Sequence, residues 1–241
     1  MTKFRERRPW LWLCTVLAAG AVWAQTPKAA EAPLRGGPMV PVEGTNYSID
    51  TYEVTNAEYA LFLNERGNKE EQGVLWLDLD SKYALIEAQR DSFVAKSGFE
   101  RHPAVEVSWF GANAYCQWAG KQLPSQSQWS RACRGEGQQR FPWGDSAEAG
   151  RANVFGDKDG FGRTAPVGSF PTGASPCGAL DMAGNVWEWT AAMPNGDLQV
   201  SGASWLNGPV MARCDNHSST RDAHSYIKGN SIGFRCLRLR P

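Results

Sequence analysis

Three stretches of the chain place apolar side chains at helical spacing. Over 107–120, Val107, Phe110, Ala114, Tyr115 and Trp118 fall near one face, with Ser108 placed to cap the first turn. Over 125–133, Trp129 and Ala132 face inward behind Pro124 and the cap Ser125. Over 55–65, Tyr59, Phe62 and Leu63 share a face behind Thr55. Elsewhere Gly, Pro, Asn and Asp cut the apolar positions into short pieces. The stretch 134–180 predicts long ordered loops that bury Phe141, Trp143, Phe155, Phe161 and Phe170. Residues 64–101 are mostly polar around one apolar island, Val74–Leu77, and predict a solvated excursion with a single anchoring strand. Few regular elements and many large aromatics together predict an irregular α+β domain whose loops need a further restraint.

The first residues follow another pattern. Lys3, Arg5, Arg7 and Arg8 precede an apolar run from Trp10 to Ala24, and Val22-Trp23-Ala24 suits cleavage before Gln25. This predicts a secretory signal over 1–24, a flexible Pro-containing lead-in over 25–38, and one domain over 39–241. The run is shorter than the roughly 20 residues a membrane-spanning helix needs. The expected location is the periplasm, with any outer-membrane association made through a partner. Residues 1–24 hold four of the 25 basic and one of the 25 acidic side chains, so the remainder carries 21 and 24, a net charge of −3. Such a balance offers no basic field for nucleic acid or an anionic membrane surface. Five cysteines remain after cleavage: Cys116, Cys133, Cys177, Cys214 and Cys236. An exported chain is expected to pair four of them, and spacing alone does not choose among three connectivities.

Nine phrases in order resemble the formylglycine-generating enzyme, or sulfatase-modifying-factor, family across about 39–240. They run from Ile49-Asp50-Thr51-Tyr52-Glu53-Val54-Thr55-Asn56 and His102-Pro103-Ala104-Val105 through Val107-Ser108-Trp109, Ala114–Trp118, Leu123-Pro124-Ser125 and Pro142-Trp143-Gly144. They continue through Gly184-Asn185-Val186-Trp187-Glu188-Trp189-Thr190 and Ser201–Trp205 to Ile232-Gly233-Phe234-Arg235-Cys236. The resemblance implies the irregular C-type-lectin-like fold of that family and disulfides Cys116–Cys236 and Cys133–Cys214, leaving Cys177 outside the pattern.

It also locates what is missing. The family's enzymes oxidise a substrate cysteine with two cysteines of their own, which bind copper(I) as thiolates. Here those positions hold Asn207 and Ala212, so neither copper nor formylglycine generation is expected. The family's calcium sites do have counterparts. The first would use Asn153, the Val154 carbonyl, Asp159 and the Phe161 carbonyl; the second would use Asp181, the carbonyls of Gly184 and Val186, and Glu188. Without the resemblance, Asp157–Gly160 reads as an ordinary turn. Ser204 matches an active-site serine of the family. With Trp205, Asn207, His217, Arg221 and Asp222 it would line a remnant groove for a protein partner, although His217 and His224 also read simply as exposed loop residues. His102, before Pro103, reads as a structural polar contact.

The implied function is a non-catalytic periplasmic regulator on a retired enzyme scaffold, similar to regulators of type VI secretion that act upstream of a transmembrane Ser/Thr kinase. Two other readings are a periplasmic enzyme of different chemistry, of the siderophore-maturation type, and a calcium-dependent lectin-like module.

Overall fold

The computed structural model describes residues 35–156, 159–220 and 229–240. The export signal, the lead-in as far as residue 34, Arg221, Asp222 and His224 lie outside them. Residues 35–38, expected to belong to the flexible lead-in, are instead bonded to the domain. Thr51 N donates to Pro38 O at 2.8 Å, and Lys121 Nζ donates to Gly37 O at 3.2 Å.

β1 (Met39–Pro41) and β2 (Tyr47–Asp50) lead into α1 (Asn56–Arg66). Two hairpins follow: β3 (Glu70–Glu71) with β4 (Val74–Leu75), and β5 (Ile86–Gln89) with β6 (Ser92–Ala95). Next come α2 (Trp109–Trp118) and α3 (Gln126–Arg134). After a long loop region come β7 (Trp187–Trp189), β8 (Leu198–Ser201), β9 (His217–Thr220), β10 (Ile232–Phe234) and β11 (Leu237–Leu239). The architecture is α+β with small sheets, as expected.

All three helices start where their caps predict. In α1, Thr55 Oγ1 accepts from Glu58 N while Glu58 Oε2 accepts from Thr55 N at 2.9 Å, a reciprocal capping box. Ser125 and Gln128 repeat it in α3. Ser108 caps α2 through Gly111 N at 3.1 Å. Gly111 has a second role. A Cβ there would lie 2.4 Å from Trp76 O and from Tyr59 Oη, so glycine lets α2 approach α1 and the chain after β4.

The polar excursion is anchored more deeply than its composition suggests. Trp76, Leu77 and Ile86 are buried in the main core, and Phe93 packs against it. A few large side chains outweigh many solvated ones here, because each buried aromatic or aliphatic group contributes roughly 1.5–3 kcal/mol. That core joins α1 and α2 through an aromatic cluster. Tyr59 stacks on Tyr115 at 5.8 Å, and Phe234 meets Tyr115 edge-on at 5.4 Å. In the 134–180 loops, Phe141 and Phe170 are buried as expected, but Phe155 is 68% and Phe161 38% exposed.

Two sheets organise the rest. Ile49 of β2 is flanked by Val40 and Leu237, giving the antiparallel order β1-β2-β11. The other sheet has the order β10-β7-β8-β9. Its β10–β7 pair is parallel, Phe234 opposite Trp189, and its remaining pairs are antiparallel. Only Arg235 and Cys236 separate β10 from β11, so these two residues span the sheets.

Both carry heavy duties. Cys236 is bonded to Cys116 in α2, with Cα atoms 5.6 Å apart, and Cys133 of α3 is bonded to Cys214 at 5.5 Å, the implied pairing in each case. Cys177 is the free cysteine among the described residues. Arg235 is fully buried and every donor is used. Nε and Nη2 grip Glu188 at 2.7 and 2.8 Å, while the two Nη atoms also reach the carbonyls of Asp50, Thr51 and Leu180. Beside it, Asp50 pairs with buried Lys121 at 2.5 Å and accepts from Cys236 N at 2.8 Å. Burial lifts the Asp50 carboxyl to about 6, and Lys121 and the Cys236 N–H hold it from rising further.

Replacing Cys116 and Cys236 together by serine is expected to lower unfolding free energy by about 2–5 kcal/mol in urea titrations. The Arg235→Leu variant is expected to lose about 3–5 kcal/mol, because it strands a buried Glu188 carboxylate. A loss under about 1 kcal/mol would show that Glu188 is relieved by protonation or water.

Candidate functional site

The loop 181–188 turns sharply on two residues that share the left-handed conformation, Asp181 (φ 57°) and Asn185 (φ 55°), with Gly184 (φ 78°) between them. A Cβ at Gly184 would sit 2.3 Å from Asn153 O, so this glycine lets the 153 and 184 loops touch. Asn185 fastens that contact. Its N donates to Asn153 O at 2.8 Å, its Oδ1 accepts from Ala165 N at 2.8 Å and Asn153 Nδ2 at 3.1 Å, and its Nδ2 donates to Glu53 Oε2 at 2.8 Å. Asn185 O also accepts from Trp205 N at 3.0 Å. One buried amide side chain and its backbone thus link both candidate cation loops, the strand-to-helix segment at Glu53 and the remnant groove.

In the first loop, Asn153 is buried and spends its amide hydrogens on Arg163 O at 2.7 Å and on Asn185. Asp159 Oδ1 accepts from Phe161 N at 2.9 Å. Asp159 Oδ2 is buried without a hydrogen-bond partner among the described residues. An orphaned carboxylate oxygen fits a hard cation, which takes oxygen ligands only.

The second loop gathers more charge than the sequence reading named. Glu53, Asp181 and Glu188 are all buried within reach of one guanidinium, Arg235. Glu188 is largely spent: Oε2 accepts from Trp129 Nε1 and Arg235 Nε, both at 2.7 Å, and Oε1 accepts from Arg235 Nη2. Asp181 Oδ2 accepts from Gly168 N at 2.6 Å. Burial pushes the Asp181 carboxyl up to about 6, against the pull of the Gly168 N–H and Arg235. Burial, then the negative charges of Asp181 and Glu188, raise the Glu53 carboxyl well above its usual range. Burial would lower the Arg235 pKa, but the Glu188 charge and hydrogen bonds outweigh it and raise the value, so Arg235 stays a cation. When ionised, the three carboxylates outnumber the one guanidinium, so an added cation would favour their ionised forms over the protonated ones. No group of three or more His, Cys, Asp or Glu side chains is arranged as a metal cage among the described residues. Any cation here would therefore draw on carbonyl oxygens as well as carboxylates.

The remnant groove is built differently. Asn207 Oδ1 accepts from Ser204 N and Ser204 Oγ, each at 3.0 Å, and Asn207 O accepts from Phe155 N at 2.9 Å. Ser204 is fully buried, with its hydroxyl turned to Asn207. Ala212 is sealed among Ala152, Val154, Ala183 and Ala203. The two positions where the family carries thiols therefore hold a locally bonded amide and an apolar plug. Trp205 is half-buried and donates to Asn230 O at 3.1 Å. His217, expected on a loop, lies on β9 opposite Ser201 and is exposed. His102 is the structural contact it was expected to be: it is buried and shares a 3.0 Å hydrogen bond with Thr164 Oγ1. Glu53, Asn185 and Arg235 were not singled out from the sequence, although all three sit inside the phrases that carry the resemblance.

The family described as sulfatase-modifying factor enzyme 1-like domain matches residues 14–240. The chain is 30% identical over 248 residues to an inactive C-alpha-formylglycine-generating enzyme 2 of Bos taurus, covering 83% of this chain and 79% of that protein. It is 35% identical over 214 residues to the serine/threonine-protein kinase pkn1 of Chlamydia caviae, covering 80% of this chain; it spans only 33% of the kinase's length. It is 36% identical over 163 residues to a hercynine oxygenase of Mycolicibacterium thermoresistibile, covering 61% of this chain and 35% of that protein. Among solved structures, PvdO from Pseudomonas aeruginosa superposes with a TM-score of 0.59 at 27% identity, covering 80% of each chain. Inactive and catalytic proteins thus share this scaffold, and the chain belongs to the sulfatase-modifying factor enzyme 1-like domain family.

Proposed function

We propose that this chain is a non-catalytic periplasmic regulator or binding protein on a formylglycine-generating-enzyme scaffold, calcium-stabilised and acting through a protein partner in a type VI secretion pathway governed by a transmembrane Ser/Thr kinase. The observation that carries the non-catalytic reading is the pair Asn207 and Ala212. Without thiolates there, the chain has no pair of soft ligands for copper(I) and no pair of sulfurs for exchange. The likeness to an inactive family member over most of both chains supports this reading. The likeness to a kinase of which this chain spans a third is compatible with a place in kinase signalling. Both disulfides suit an oxidising compartment. No helix among the described residues is long and apolar enough to cross a membrane.

A protein partner is favoured by the surface beside the vacated positions. Leu206 is 51%, Val210 69% and Met211 41% exposed, and a backbone hydrogen bond joins the exposed Phe155 to Asn207, next to Leu206 in the chain. Apolar side chains clustered on a loop surface mark contact sites more often than isolated ones do. Immobilised protein is expected to capture a stoichiometric protein partner from periplasmic extract containing calcium, and the double variant Val210→Glu, Met211→Glu to lose that capture with its melting temperature intact. Turnover of a small periplasmic metabolite by the isolated chain would overturn the non-catalytic reading.

Calcium and pH are linked through the second loop. In calcium-free protein, Asp181 titrates near 6 when folded and about 3.9 when unfolded, so the folded chain holds the extra proton between those values. Stability is therefore expected to fall as pH rises from about 4 to about 6, and raised Glu53 extends the trend upward. Calcium must displace those protons. Its stabilisation should reach about 2.7 kcal/mol at pH 7 when present at a hundred times its dissociation constant, and shrink at pH 5. Melting curves in calcium and in chelator at both pH values check this, and identical curves at pH 7 would remove calcium from the proposal.

A further inference from the structure

A cavity of about 410 Å³ opens between α1, α2 and the β3–β4 hairpin, and it shares no lining residue with the loops described above. Its aromatic walls are Phe62, Trp76 and Trp118; its polar groups include Arg66, Lys69 and Asn113. Helical spacing assembles it. Phe62 and Arg66 stand one turn apart on α1, and Ala114 and Trp118 one turn apart on α2.

The walls are set in advance. Phe62 stacks on Trp76 at 5.1 Å and tilts against Trp118 at 5.6 Å. Trp118 Nε1 donates to Glu65 Oε2 at 2.9 Å. Glu65 also pairs with Arg35 at 2.9 Å, and the Arg35 guanidinium lies 4.9 Å from the Trp118 ring centroid. Glu65, the acidic neighbour of Arg66, is thereby committed elsewhere. Arg66 and Lys69 form no ion pair among the described residues, and Lys69 Nζ sits 5.7 Å from the Trp76 ring centroid. Glu71 also reaches the wall but pairs with neither cation. The indole N–H of Trp76, itself 9% exposed, has no partner among the described residues.

We propose that this cavity binds a small aromatic carboxylate. The flat ring lies edge-on at the half-buried Trp118, with the buried Phe62 and Trp76 beneath it as an apolar floor. The carboxylate meets Arg66, whose planar fork can hold both oxygens, and Lys69 supplies a second charge. The volume falls in the roughly 300–1,000 Å³ range of small-ligand pockets. A bare phosphate would leave the aromatic walls empty, and a neutral sugar would leave both cations unpaired. The same chemistry, a carboxylate one or two bonds from a ring, occurs on free aromatic acids and on a C-terminal aromatic residue of a peptide. This inference stands apart from the regulator reading and does not depend on it.

Calorimetric titration of the exported chain with phenylacetate, with neutral phenylacetamide, and with a tripeptide ending in phenylalanine tests it. Phenylacetate is expected to saturate and phenylacetamide to bind about tenfold more weakly or worse. The double variant Arg66→Ala, Lys69→Ala should lose the same factor for the acid while keeping its melting temperature, since both side chains are exposed. Tighter binding of the tripeptide than of phenylacetate would identify a peptide terminus as the source; weaker or equal binding would identify a free acid. Absence of saturation by both acids, equal binding of acid and amide, or a double variant that binds the acid unchanged would each overturn the proposal.

Discussion

The guanidinium of Arg235 is the group on which the rest of the domain depends. It lies between the two sheets, fully buried, and grips Glu188 of one sheet while donating to the backbone that follows β2 of the other. A cation in such a place is stable only if every donor finds an acceptor and the charge is countered nearby. Both conditions hold, and both are met by segments distant in sequence: 50–51, 180 and 188. A lysine could supply the charge but not the planar fork that spans three segments at once. The neighbouring pair Asp50–Lys121 extends the polar core toward the end of α2.

This polar core explains how a chain with so little regular structure holds long loops. Its organising groups are carboxylates, amides and one arginine, directed at backbone atoms. Asn185 illustrates the economy: four separate segments end on its amide and peptide groups. The 203–212 loop hangs from the same framework through the Trp205–Asn185 hydrogen bond. Asn207 is satisfied by its own neighbour Ser204, and Ala212 fills a pocket of small side chains. Residues 207 and 212 are thus held by local contacts, apart from the polar core that joins the sheets.

How much of this could be read from the sequence depended on whether the determinants were local. Helix starts were, because Thr55, Ser108 and Ser125 act on residues three positions ahead. The disulfide pairing was not local, and it entered only through the resemblance. The anchoring of Trp76 and Leu77 was legible in the apolar island Val74–Leu77, whereas burial of Ile86 was obscured by the polar residues around it, since periodicity fails in segments of two to four residues. The exposure of Phe155 and Phe161 ran the other way: large aromatics are normally buried, yet these two lie on the surface. Glu53, Asn185 and Arg235 were in view within family phrases. Their joint role required knowing that segments more than 130 residues apart meet, as Glu53 and Asn185 do.

The placement of β11 has a consequence for how the domain is made. β2 forms early in the chain, but one of its two partners is the last described strand, and Arg235 and Cys236 come just before that strand. A chain that emerges N-terminus first therefore exposes everything before Arg235 with neither sheet joined to the other. During that interval Cys116 meets Cys133 long before its proper partner has emerged. The native links are nested, Cys133–Cys214 inside Cys116–Cys236, so oxidation in order of appearance yields the wrong bond. Reaching the nested pair thus requires either that oxidation wait for the last segment or that an early mispaired bridge exchange for it.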